Sequence, residues 1–286
     1  WKKGCRNMLI DTSSGNSLRH SISKCLNIPI GEIEDVLRAS DKASREELYF
    51  DCDIFNDRIS RFINDSNATM PDMISLYHLS RRLNDDTDFG GSNLFELLVT
   101  DNSVTKFLRK HGFKFEGVNG HIEFSFKNKR IVFPERSMEP QINYMKLRLG
   151  YYTERQDFCV NGFTFRETLL KNDYARQFED GPEFIVKLAE FVNDYTIIDD
   201  FKQHSTYYCF RYNVPLIRVA FDKADNLLEG DKTNYFLKAC LLRMLEDMQN
   251  GRAAIQDLTN PIIRLTDYDN ILMSSLAGKE IITEEM

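Results

Sequence analysis

The chain predicts an α+β fold on three observations. Its first 68 residues carry apolar side chains at helical spacing. Its middle carries period-two alternation around an Asn-Gly pair. Nowhere do strands and helices alternate as regularly as a doubly wound parallel sheet demands. The expected organisation is a helical N-terminal region over residues 1–68, then over 69–286 a mixed, mainly antiparallel β domain with peripheral helices. The 286 residues are enough to bury a sizeable core, and 42% hydrophobic with 28% charged residues, ordinary for a folded protein, argues against a disordered chain. The 21 Phe exceed what a solvated surface holds, so most are expected inside.

The elements follow in order. Ser17 to Leu26 reads as a short amphipathic helix that Pro29 interrupts. Ile30, Ile33 and Leu37 then share one helical face. Ser44-Arg-Glu-Glu47 matches a capping box, predicting a helix through Leu48, Phe55, Ile59 and Phe62. The polar run Asn64 to Pro71 is the candidate boundary. Beyond it, Ile74 to Leu79 reads as a strand, and Asn93 to Leu98 and Val104 to Lys110 as helices. Phe113 to Phe126 predicts a hairpin turning at Asn119-Gly120, because a type I′ turn needs positive φ at both central residues. Lys127 to Arg130 is expected to be a second turn, leading to a third strand at Ile131-Val-Phe133. Later come a helix over Pro182 to Val192, a strand over Tyr207 to Val214 that Pro215 ends, and a helix over Thr233 to Met248 stopped by Asn250-Gly251. Short strands are expected at Ala253 to Leu258 and Ile262 to Leu265.

Charge and motifs narrow the function. A net charge of −7 argues against broad non-specific nucleic-acid binding, which needs a basic face. Cys5, Cys25, Cys52, Cys159, Cys209 and Cys240 are scattered without a C-x-x-C, which predicts free thiols in a reducing, cytoplasmic compartment and no structural zinc. No apolar run of about 18 residues predicts a membrane span. The start, Trp1-Lys-Lys-Gly4, has neither Met nor an apolar leader, as expected of a chain trimmed there. Phosphate-loop, dinucleotide-fingerprint, zincin and nucleophile-elbow motifs are absent. Asp85-Asp86 and Asp199-Asp200 offer too few oxygens for a hard cation, so no metal is expected.

One stretch carries chemistry in a suggestive order. Leu76-Tyr-His-Leu-Ser-Arg-Arg-Leu83 is an apolar run bearing His78, followed after a polar loop by Asn93-Leu-Phe-Glu-Leu-Leu98. It resembles the first core strand of the ADP-ribosyltransferase superfamily and the N-L-x-x-[IL]-[IL] helix that often follows. The resemblance implies binding of NAD, as substrate, or of a related nucleotide, with ADP-ribose passed to a protein or nucleic-acid target. His78 would grip the ribose, and Arg81 loosely matches the branch that uses Arg. The aromatic-rich segments Gly150-Tyr-Tyr-Thr153 and Tyr207-Tyr-Cys-Phe210 would be strands, with Tyr152 or Tyr208 stacking on nicotinamide. No late-strand Glu matches the family's catalytic acid; Gln256-Asp257 lies where it would be sought.

Plainer readings stand beside these. A lone strand His is often a hydrogen-bonded core residue, Arg81-Arg82 an ion-paired surface, and the paired tyrosines alternating strand positions. Glu154, Arg155, Asp157 and Asn161, among aromatics, read either as a pocket wall or as a crossing loop. Two other functions remain open. One is a non-enzymatic protein-interaction module. The other is a nucleic-acid-binding or nucleic-acid-modifying protein acting through Arg109, Lys110, Lys127, Lys129 and Arg130.

Overall fold

The computed structural model describes residues 8–46, 49–152, 154, 156–167, 169, 178–222, 224, 226–249 and 260–283. The fold is α+β with mainly antiparallel pairing. In chain order come β1 (Leu9–Ile10), α1 (Gly15–Leu26), α2 (Ile30–Ala43), β2 (Arg45–Glu46), β3 (Tyr49–Phe50), α3 (Cys52–Asp65) and the long β4 (Met73–Leu83). Next are α4 (Leu94–Val99), α5 (Ser103–Lys110), β5 (Phe113–Val118), β6 (His121–Phe126), β7 (Lys129–Arg130), α6 (Pro140–Arg148) and β8 (Asn161–Phe163). The remainder are α7 (Glu183–Val192), α8 (Thr196–Gln203), β9 (Ser205–Pro215), β10 (Ala220–Phe221), α9 (Glu229–Met248), β11 (Ile262–Arg264) and β12 (Leu276–Ile281). The chain forms two compact units, one of residues 1–77, 163–169 and 213–263, the other of residues 78–162, 170–212 and 264–286.

In the first unit, apolar stripes on α1 (Leu18, Ile22), α2 (Ile33, Leu37) and α3 (Phe55, Ile59, Ile63) are buried with Phe236, Leu237 and Leu241 of α9. Ser14 caps α1 by accepting from the Ser17 amide, and Asn27 ends it in the left-handed region at φ 55°. β1 pairs parallel with the start of β4, and Tyr77 of β4 pairs antiparallel with Phe163. The expected capping box at Ser44 is not used. α2 runs on to Ala43, and the Ser44 hydroxyl donates back to the Ser40 carbonyl at 2.8 Å. Asp51 opens α3 instead, accepting from the Asp53 and Ile54 amides. A serine satisfies either helix end, so its presence does not choose between them.

In the second unit, β5, β6 and β7 form the expected meander, with Phe113 opposite Phe126 and Val118 opposite His121. The turn is Asn119-Gly120, at φ 49° and 84°. A second turn of the same hand at Lys127-Asn128 (φ 49° and 65°) brings the third strand in at Lys129–Arg130, two residues earlier than expected. Phe113, Ile122 and Phe124 enter a core with Leu98, Leu188 and Phe201. Tyr151 and Tyr152 are not in a strand: they follow α6 as irregular chain, because Gly150 at φ 78° turns the backbone out of the helix. The strand expected at Ala253 to Leu258 lies outside the described residues, whereas Ile262–Arg264 is a strand.

Cys25, Cys52, Cys159, Cys209 and Cys240 are free thiols; Cys5 lies outside the described residues. Among the described residues no helix is long and apolar enough to cross a membrane.

Gly150 is the most constrained turn position of the second unit. A Cβ there would meet the buried Phe158 ring at 2.5 Å and the Gly120 carbonyl at 3.2 Å, on a backbone that side chains rarely adopt. Gly150→Ala is expected to lower stability by about 2–4 kcal/mol, the sum of a left-handed penalty and overpacking. Urea unfolding checks it, and a loss under about 0.5 kcal/mol would contradict the account.

Candidate functional site

The site is a cavity of about 150 Å³ whose lining residues all belong to the second unit. One wall is β4 from His78 to Arg82. Leu94, Leu97 and Leu98 of α4 form a second, and Pro182 to Ile185, at the start of α7, a third. Local chemistry fixes each wall. Asn93 caps α4, its side-chain oxygen accepting from the Glu96 amide at 2.9 Å. Its own amide groups donate to Asn270 Oδ1 at 2.8 and 2.9 Å. Pro182 sits at the N-cap of α7 and places Glu183 as the first helical residue.

His78 is held in one state. Its Nδ1 lies 2.7 Å from the Asn161 carbonyl, which only accepts, so Nδ1 carries the proton. Burial first, and then the nearby Arg82 charge, lowers its pKa to about 4, outweighing the backbone bond. At neutral pH the ring is uncharged, and Nε2 is a hydrogen-bond acceptor.

Three arginines line the same cavity with different duties. Arg81 is bound into the frame. Its Nη1 donates to the Glu179 carbonyl at 2.7 Å, its Nη2 to the Lys202 and Ser205 carbonyls at 3.2 and 3.1 Å, and its Nε to the Ser205 hydroxyl at 3.0 Å. Arg82 donates to the Gly90 carbonyl at 2.7 Å, faces Asp86 at 3.8 Å and lies 5.3 Å from the Phe210 ring centre. Arg148 pairs with Asp157 at 2.8 Å. Burial works against the Arg148 charge, but Asp157, with smaller help from Tyr144 and Glu183, outweighs it and holds the pKa above its ordinary value.

The structure thus brings two of the four expected ligand-binding residues together, His78 and Arg81, and leaves Tyr152 and Tyr208 off the cavity lining. Tyr152 is exposed, with its hydroxyl 3.4 Å from Asn143 Oδ1. Tyr208 packs its ring 5.3 Å from Phe210 and 6.2 Å from Phe89. Glu183 and Arg148 were not singled out by the sequence. The one available signal was Pro182-Glu183 at a helix start; Arg148 had none. Asn161 and Asp157, flagged as wall residues, meet His78 and Arg148. Gln256-Asp257 and Arg155 lie outside the described residues.

Among the described residues no group of three or more His, Cys, Asp and Glu side chains is arranged to hold a metal ion. Asp200 accepts from His111 Nε2 at 2.9 Å, and Asp86 faces Arg82. In the basic patch, Arg109 pairs with Asp101 and Arg130 with Glu123, which offsets part of its positive charge.

A histidine kept neutral by the fold makes stability depend on pH. The unfolded chain takes up a proton near pH 6.5, and the native chain only near 4. Stability is therefore expected to fall as pH drops from about 6.5 to about 4, and this contribution to level off below that, for a total of about 3 kcal/mol. Urea titrations across that range should give a flatter curve for His78→Asn, which keeps a donor for Asn161 and cannot titrate. Parallel curves for the two proteins would contradict the assignment. Comparison with protein-family models, curated proteins and solved structures found no match, so the functional reading rests on the chemistry of this cavity.

Proposed function

We propose that the second unit binds NAD or a related nucleotide at the His78 cavity and transfers ADP-ribose from it to a macromolecular target. The carrying observation is a neutral His78, fixed through Nδ1, in one cavity with the carboxylate of Glu183. In this reading a ribose hydroxyl donates to His78 Nε2. The Glu183 carboxylate steadies the positive charge that develops at the anomeric carbon as its bond to nicotinamide breaks. The nicotinamide leaves with the bonding electrons, the target nucleophile bonds to that carbon, and the nucleophile releases a proton. Phe178 and Phe184, which line the cavity, take the stacking role expected of the tyrosines. A volume of about 150 Å³ suits the nicotinamide end of the ligand, the rest lying outside.

Calorimetric titration with NAD tests the reading. Wild-type protein is expected to bind, and His78→Ala to bind at least about tenfold more weakly, the loss of one hydrogen bond to a buried acceptor. Glu183→Gln should keep NAD affinity within a few-fold and lose release of nicotinamide, the signature of an interaction made in the transition state. Absence of NAD binding by the wild type, or unchanged affinity in His78→Ala, would overturn the proposal.

A further inference from the structure

We infer that the loop 268–273, together with the carboxylates of Asp88 and Glu96 beside it and the open edge of β12 beyond it, is a docking surface for an extended polypeptide segment that is both basic and apolar. This goes beyond the nucleotide reading and does not depend on it.

The inference starts from three large apolar side chains left in water. Tyr268, Leu272 and Met273 are 62%, 65% and 54% exposed. Single exposed apolar residues are common on protein surfaces. Here three fall within one short stretch whose base is firmly held. Asp267 Oδ1 accepts from the Phe158 amide at 2.8 Å, and Asn270 Nδ2 donates to Glu96 Oε2 at 2.6 Å. Ile271 exchanges backbone hydrogen bonds with Gly91 at 2.7 and 2.9 Å. The Tyr268 hydroxyl donates to Gln156 Oε1. The loop thus presents its apolar side chains from a fixed backbone, and a partner that covers them has little of this protein to order. Gly91 also lines the His78 cavity, which places the loop beside that cavity.

Charge and backbone together choose the occupant. A Cβ on Gly90 would lie 3.1 Å from Asp88 Oδ1 and 3.5 Å from the Met273 amide nitrogen, so the Asp88 carboxylate stands next to Met273. Glu96 flanks the loop at Asn270. Both acids are exposed, and among the described residues neither is paired with a cation. Lys279 of β12 lies against the Phe89 ring, 3.5 Å from its centre. An apolar strip flanked by acids complements a ligand that is basic and apolar. Nucleic acid and anionic lipid carry the wrong sign. A second copy would set the same acids against one another, on a chain of net charge −7. Among basic ligands, the strand edge selects a polypeptide. The loop runs through Met273–Ser275 into β12, which pairs with β9 on one side and with no described strand on the other. An open edge offers backbone N–H and C=O groups to an extended chain, whose alternate side chains then face one way.

Selection from a displayed library of random peptides of about twelve residues tests the surface. The expected peptides combine Lys or Arg with aliphatic or aromatic residues. They are then synthesised and measured by fluorescence polarisation. Leu272→Ser and Met273→Ser are each expected to weaken the best peptide about tenfold or more. Asp88→Asn and Glu96→Gln keep the oxygens that accept from Gly90 and Asn270. They should weaken it several-fold and flatten its salt dependence. Thermal unfolding without peptide is the folding control. Failure to enrich basic apolar peptides, or unchanged affinity in both serine variants, would overturn the docking surface. So would loop-dependent binding to vesicles of phosphatidylcholine and phosphatidylserine in place of peptide, or a sedimenting dimer that both serine variants dissolve. Should a serine variant fail to fold, hydrogen exchange of the wild type decides: bound peptide should protect residues 276–281, and protection confined to other segments would overturn the surface. Calorimetry with NAD on the same proteins separates the two readings. Peptide binding without NAD binding keeps the surface and removes the nucleotide reading, and NAD binding without peptide enrichment does the reverse.

Discussion

The constraint on which the second unit depends is the burial of polar side chains on β4. From His78 the strand carries His78, Ser80, Arg81 and Arg82 within five residues, all of them at least partly buried. A polar group taken out of water without a partner costs several kcal/mol in an apolar medium, and a charge costs more. The unit meets that demand with backbone carbonyls. Asn161 serves His78; Glu179, Lys202 and Ser205 serve Arg81; and Gly90 serves Arg82. These carbonyls come from the start of β8, from the turn before α7, from the end of α8 with the start of β9, and from the loop before α4. Satisfying one strand thus fixes several segments, and the space they leave open is the cavity.

This arrangement explains what could be read from the sequence. The strand expected at Ile74 to Leu79, which the fold extends to Met73–Leu83, the helix expected from Asn93 and the hairpin at Asn119-Gly120 were legible because their signals are local: an apolar run, helical spacing of apolar residues, and two residues that accept positive φ. His78 and Arg81 were legible because a charged or titratable side chain inside an apolar strand stands out. The partners of these residues were not, since a backbone carbonyl looks the same at every position. Arg148 and Glu183 reach the cavity through the placement of α6 and α7, which no local pattern encodes.

The failures have the same origin. Ser44-Arg-Glu-Glu47 carries a correct cap sequence, yet Ser44 ends a helix, because α2 continues past Leu37 to Ala43 and takes the serine hydroxyl for itself. Tyr151 and Tyr152 have the composition of a strand, yet Gly150 turns the chain immediately before them, and Tyr151 packs against His121 and Phe133. In both cases the local propensity was satisfied in a different way once neighbours in space were present.

The state of His78 links this frame to chemistry. A histidine beside a carboxylate tends to hold its proton and act as a donor. Here the ring is buried, the charge that acts on it is the Arg82 guanidinium and the Nδ1 partner is a carbonyl, so the ring stays neutral and presents an acceptor. The cavity therefore combines an imidazole acceptor and the Glu183 carboxylate with arginine donors, along an apolar wall of Leu94, Leu97 and Phe184. Such a mixture suits a ligand whose polar groups both donate and accept beside a flat apolar ring. A ribosyl group joined to an aromatic base has that character. A purely anionic ligand would meet the two carboxylates behind the arginines as well as Glu183. A purely apolar one would bring no acceptor to the arginine side chains that line the cavity.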